Sequence, residues 1–222
     1  MIEALKHAFP MALGLALSPF PLIAMIIILM TPKAKINSLA FLLGWMTGIY
    51  FVGLFIFLMP GLETEQGNPT TFFGIIKLLA GLSLIIFAYR SWGKRPKTGD
   101  EIKTPRLFLT LDKFSIWQSL LTGFLFSAAN VKNITFSATG AARIDYSLLN
   151  GNGMYTALFI FTLMGSLTLV FPIGIYLLIG DKIEPTFIQW KTWLIKNNAI
   201  LLILLLGTIG LILLKSGIEI FI

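Results

Sequence analysis

Six apolar runs leave this chain little choice of fold. They cover about residues 8–31, 37–59, 71–90, 115–141, 154–179 and 198–218. Each is near the roughly 20 residues that a helix needs to cross about 30 Å of hydrocarbon. In lipid, every backbone N–H and C=O must find a partner within the protein, so such runs fold as helices. Only 12% of the residues are charged and 56% are hydrophobic, whereas soluble domains carry roughly 25% charged residues. The expected class is all-α, a polytopic membrane protein with a single membrane domain over 1–222. The first run is too long for a signal-peptide core and has no convincing cleavage site after it. It is therefore expected to stay in the mature chain.

Composition also excludes chemistry. With no cysteine, there is no disulfide, thiolate metal site or cysteine nucleophile. The single histidine, His7, leaves no material for a His-based triad or a metal centre. Paired carboxylates, a nucleophile elbow and a phosphate loop are all missing from the sequence. Neither enzymatic activity nor a cofactor is expected. The net charge of +7 does not imply a nucleic-acid partner, because the bases gather in short loops between apolar runs.

That gathering orients the chain. The loops around 32–36, 91–114 and 180–197 hold twelve bases: Lys33, Lys35, Arg90, Lys94, Arg95, Lys97, Lys103, Arg106, Lys113, Lys182, Lys191 and Lys196. The opposite side holds only Lys6, Arg143 and Lys215. The richer side is expected to be cytoplasmic in a multi-pass plasma-membrane protein, with both termini extracytoplasmic. The outer loop with Glu63 and Glu65 carries no base, which fits.

The loop 91–114 is the one sizeable hydrophilic segment. It separates a first three-helix half, 1–92, from a second, 115–222. Three is odd, so the halves would cross in opposite directions, as two inverted repeats do. The basic loop is also a candidate seat for anionic lipid headgroups. Residues 185–196, with Trp190, Lys191, Trp193 and Lys196, read as a short interfacial anchor helix.

Two runs carry internal defects. Ser18-Pro19-Phe20-Pro21 lies in the first, where two prolines remove two backbone donors. A carbonyl freed at that depth needs a side chain, a neighbouring helix or water. In the fourth run stands Asn130-Val131-Lys132-Asn133. A lysine at the centre of a span costs about 2.5–3.5 kcal/mol, so it should face a cavity or the bundle interior. In a helix, Lys132, Thr135, Thr139 and Arg143 share one face, with Asn130, Asn133 and Ser137 roughly opposite. Breaks in corresponding spans of two halves point to a binding site. The candidate substrate-binding set is Ser18, Pro19, Pro21, Asn130, Lys132, Asn133, Thr135 and Thr139. The bland alternative is that Lys132 snorkels and the asparagines join helices.

Lesser features read structurally. Lys77 is close enough to the outer surface to snorkel. Gly44-x-x-x-Gly48, Gly74 and Gly81 are close-packing positions. Pro172 is expected to kink the fifth span. No acid sits deep in a span, which leaves proton coupling unsupported.

Several segments resemble a known family. Ala16-Leu17-Ser18-Pro19-Phe20-Pro21-Leu22-Ile23-Ala24, Thr31-Pro32-Lys33 and Ala40-Phe41-Leu42-Leu43-Gly44-Trp45 look like the opening of the GAP family. These are glycolipid- and sulfolipid-addressing, Sap-like proteins of the lysine-exporter (LysE) superfamily. Lys77-Leu78-x-x-Gly81, Ala88-Tyr89-Arg90-Ser91-Trp92 and Arg95-Pro96 are similar to its third span. Asn130-Val131-Lys132-Asn133 is similar to its Asn-Pro-Lys-Asn pattern, with Val131 in place of proline. Trp193, Asn197-Asn198 and Gly207 match its last segment. The resemblance covers nearly the whole chain. It implies six spans in two inverted halves and an export-type role for amino acids, small solutes or envelope glycolipids.

Two functions follow as expectations. One is a small secondary exporter of a solute or amphiphile; the other is an envelope-lipid accessory protein without transport of its own. A cleft open sideways to lipid favours the second, and a closed polar vestibule the first. A homo-oligomer is compatible with either.

Overall fold

The computed structural model describes residues 1–58, 71–93, 113–144, 148–150 and 152–221. Among these, all regular structure is helical. The order is α1 (Ile2–Leu5), α2 (Phe9–Ala16), α3 (Pro19–Leu29), α4 (Ala34–Phe57), α5 (Thr71–Gly93), α6 (Ile116–Ala128), α7 (Val131–Ala142), α8 (Gly153–Ile179) and α9 (Glu184–Ile218). A 3-10 turn over Gly180–Ile183 joins the last two.

By length and apolar character, three stretches among the described residues can each cross a membrane: Ala34–Phe57, Gly153–Asn197 and Ala199–Ile218. The bent pair α2 and α3, meeting at 47°, makes a fourth if taken as one span. The chain is thus a membrane protein. The expected third span corresponds to α5. The expected fourth is divided into α6 and α7, of 13 and 12 residues, each too short to cross alone.

The first apolar run breaks because of where its prolines fall. Pro19 and Pro21 occupy the first turn of α3. There the missing N–H groups would have no helical partner anyway. The prolines therefore start a helix as much as they end one. The fourth run breaks without proline. Asn130 is extended, at φ −88° and ψ 116°, and its Oδ1 accepts from the Lys132 N–H at 3.1 Å. That side-chain cap supplies the start signal that proline gives elsewhere. The α6 start is fixed by a reciprocal capping box between Ser115 and Gln118.

Close packing then sets the bundle. Gly44 and Gly48 on α4 meet Gly123 and Ser127 on α6, with the two helices parallel. A Cβ on Gly44 would overlap the Leu120 carbonyl, and one on Gly123 the Phe41 carbonyl. Small residues on both partners allow this approach. α5 and α9 run antiparallel, with Gly74 against Phe221 and Gly81 against Gly210 and Leu214. α8 lies along α2, where Gly165 touches Leu15.

One expectation changes. Residues 185–196 are not a separate interfacial helix, because α9 continues unbroken from Glu184 to Ile218. Phe187 is buried and Trp190 stacks on Phe171 of α8 at 6.3 Å, so this stretch is held by α8. Pro172 lies inside α8, which stays helical on both sides of it. The basic loop over 94–112, the loop with Glu63 and Glu65, and Asp145 lie outside the described residues.

Candidate functional site

The two interrupted helices meet at their interruptions. Ser18, at the start of α3, does not cap its own helix. Its hydroxyl instead donates to Asn133 Oδ1 on α7 at 3.2 Å. The Lys132 ammonium donates to the same Ser18 oxygen. Asn133 Nδ2 donates to the Phe126 carbonyl on α6 at 2.6 Å. The breaks thus share one buried hydrogen-bonded group, drawn from both halves of the chain.

Each break also leaves carbonyls that the helix no longer uses, and each finds a side chain for one of them. Asn133 serves Phe126. At the first break, the Thr168 hydroxyl of α8 donates to the Ala16 carbonyl. An unmet carbonyl at this depth costs several kcal/mol, so these contacts are what permit a stable break.

Beside this junction lies a cavity of about 300 Å³. Ser18, Pro19, Phe20 and Pro21 form one wall and Asn130, Val131, Lys132 and Asn133 another. Phe87 and Ser91 of α5 and Leu206 of α9 close it. Its floor holds Ser18, Lys132 and Asn133, and its rim is mostly apolar, with Val131, Phe20 and Phe87 beside the exposed Asn130. Lys132 is only 7% exposed, whereas Val131 is 51%, Phe20 38% and Phe87 36% exposed. The cavity therefore reaches the apolar flank of the bundle.

Lys132 has no acid beside it among the described residues. The ion pairs there are Lys6–Glu3 and Lys215–Glu219, both far along the chain from it. Its partners are the Ser18 hydroxyl and the Phe136 ring, whose centroid is 5.4 Å from Nζ. A charge-assisted hydrogen bond contributes about 1.5–3 kcal/mol and a ring face about 0.5–2. Together they are of the order of the insertion cost of a central lysine, about 2.5–3.5 kcal/mol. No described side chain neutralises the ammonium.

Six of the eight candidate residues line the cavity: Ser18, Pro19, Pro21, Asn130, Lys132 and Asn133. Thr135 and Thr139 do not. The Thr135 hydroxyl donates to its own helix at Val131 O, 2.8 Å away, and Thr139 is buried further along α7. Arg143, at the end of α7, donates to Ser216 of α9 at 3.1 Å. Phe87, Leu206 and Thr168 carry no sequence signal of their role, being ordinary residues of apolar helices, and Ser91 stands out only within the family-like segment Ala88-Tyr89-Arg90-Ser91-Trp92. No group of three or more His, Cys, Asp or Glu that would hold a metal occurs among the described residues.

A helical membrane protein with two interrupted helices meeting at a buried cation is the class that the fold and cavity define. The chain belongs to the family described as Sap, sulfolipid-1-addressing protein, which it matches over residues 9–219. No curated protein and no solved structure matches it.

Proposed function

We propose that the protein carries an anionic amphiphile outward across the plasma membrane, as a small secondary transporter of the lysine-exporter type. The observation that carries this is the buried Lys132 ammonium at the junction of the two breaks, in a cavity whose rim is mostly apolar. A volume of about 300 Å³ is at the small end of ligand pockets. It has room for a headgroup, while acyl chains stay in the bilayer beside Phe20, Phe87 and Val131. A sulfolipid, the ligand class in the family's name, has that form.

Six spans in two inverted halves suit this role. Support comes from the packing. α4 lies along α6, the first piece of one broken pair, and α8 lies along α2, the first piece of the other. Exchanging the halves maps one contact onto the other and α5–α9 onto itself. The cavity then falls at the interface between repeats, where alternating access acts.

The second reading is an accessory protein that holds an envelope lipid without moving it. The sideways opening of the cavity favours it. Purified protein in liposomes, with an anionic fluorescent lipid, separates the two. Movement of the lipid between leaflets supports transport, and binding without movement supports the accessory role. Lys132→Met removes both activities in either case, and a variant that binds and moves lipid normally refutes both.

A further inference from the structure

The polar groups at the junction form a chain whose direction is fixed from its ends. A backbone carbonyl only accepts, so Phe126 O at 2.6 Å identifies the Asn133 atom facing it as the amide nitrogen. The Asn133 oxygen is then the atom turned to Ser18, and it too only accepts. Ser18 has one proton, and that proton goes to Asn133. The Ser18 oxygen is left to accept from the Lys132 ammonium, which only donates. Ser18, Lys132 and Asn133 are 3%, 7% and 0% exposed, so water does not readily replace any link.

The neutrality of the amide matters here. A carboxylate at position 133 would lie one hydroxyl away from the ammonium and would cancel its charge inside the protein. With an amide there, every described partner of the ammonium is neutral, and Lys132 lines the cavity.

We propose that Asn133 is the specificity-determining residue of the cavity: its neutral amide orients Ser18 and keeps the Lys132 charge unpaired, reserving it for the anionic group of a ligand. This rests on reading the cavity as a ligand site, and the experiment tests the two separately. The probe is inorganic sulfate, which stays ionised across the working range. Its binding to full-length protein in a non-ionic detergent is read from the rise in thermal unfolding midpoint at constant ionic strength.

Sulfate stabilises the wild type, and Lys132→Met abolishes that effect. If Lys132→Met responds like the wild type, the site reading itself is wrong. Asn133→Leu breaks the chain without adding charge and weakens sulfate binding by about tenfold or less, the scale of a neutral hydrogen bond. Asn133→Asp weakens it by about a hundredfold, because an internal anion then occupies the ammonium. Sulfate binding by Asn133→Asp equal to the wild type overturns the proposal. So does a loss in Asn133→Asp no larger than that in Asn133→Leu.

Discussion

Lys132 donates a hydrogen bond to Ser18 across a sequence separation of 114 residues. This contact joins two interrupted helices and places the buried cation where both begin again. The backbone conformations at the two restarts nearly coincide, at φ −85° and ψ 108° for Ser18 and φ −88° and ψ 116° for Asn130. Similar local geometry therefore arises from prolines in one half and from an asparagine cap in the other.

The cap at Asn130 is replaceable by proline one residue on. Val131 is the first residue of α7, where proline needs no N–H partner. The extended Asn130 backbone is also what a following proline requires. Val131→Pro is expected to leave the fold unchanged or to stabilise it by up to about 1 kcal/mol. Asn130→Ala should cost about 1 kcal/mol. Thermal unfolding in detergent distinguishes these, and a strongly destabilised Val131→Pro would contradict the assigned break.

The α4–α6 contact has no room for side chains at its glycines. Gly44→Ala or Gly123→Ala drives a methyl group into a carbonyl of the other helix, with an expected cost of about 1–3 kcal/mol. A methyl group at Gly174 or Gly207 meets nothing within 4 Å. Alanine there should be neutral or gain up to about 1 kcal/mol from helix propensity. Equal unfolding midpoints for all four variants would refute this packing.

Thr168 serves the Ala16 carbonyl at the first break. Thr168→Val keeps the shape and removes the donor. A loss of about 0.6 kcal/mol is typical of such bonds within membranes, and more is expected here because the broken helix offers no substitute. Thr156→Val removes a hydroxyl bonded only to its own helix at Asn152 O and should change stability less. The comparison is made by unfolding the two variants side by side in one detergent.

The sequence made the breaks legible because proline and buried lysine have few tolerable placements in an apolar helix. The same applied to Gly44 and Gly48, whose spacing marks a contact surface. Their partners were not legible. Gly123 and Ser127 are recognised only once α6 lies beside α4, and Thr168 looks like any small residue of α8. Thr135 and Thr139 failed as cavity residues because a shared helical face does not say where a neighbouring helix ends the cavity. Trp190, Lys191 and Trp193 suggested an interfacial helix, yet helix propensity carried α9 through them without a stop signal. Phe87, Ser91 and Leu206 reach the cavity through the α5–α9 pairing, of which Gly74 and Gly81 mark the α5 side while nothing local names α9 as the partner.

The central claim is that the Lys132 charge at the junction engages an anionic amphiphile. The most direct measurement is movement of a fluorescent anionic lipid between leaflets of liposomes containing the wild type, Lys132→Arg or Lys132→Met. All three proteins are first shown to be monodisperse and equally incorporated. The account predicts transfer by the wild type, at least partial transfer by Lys132→Arg, and none above protein-free liposomes for Lys132→Met. Transfer by Lys132→Met at the wild-type rate would contradict it.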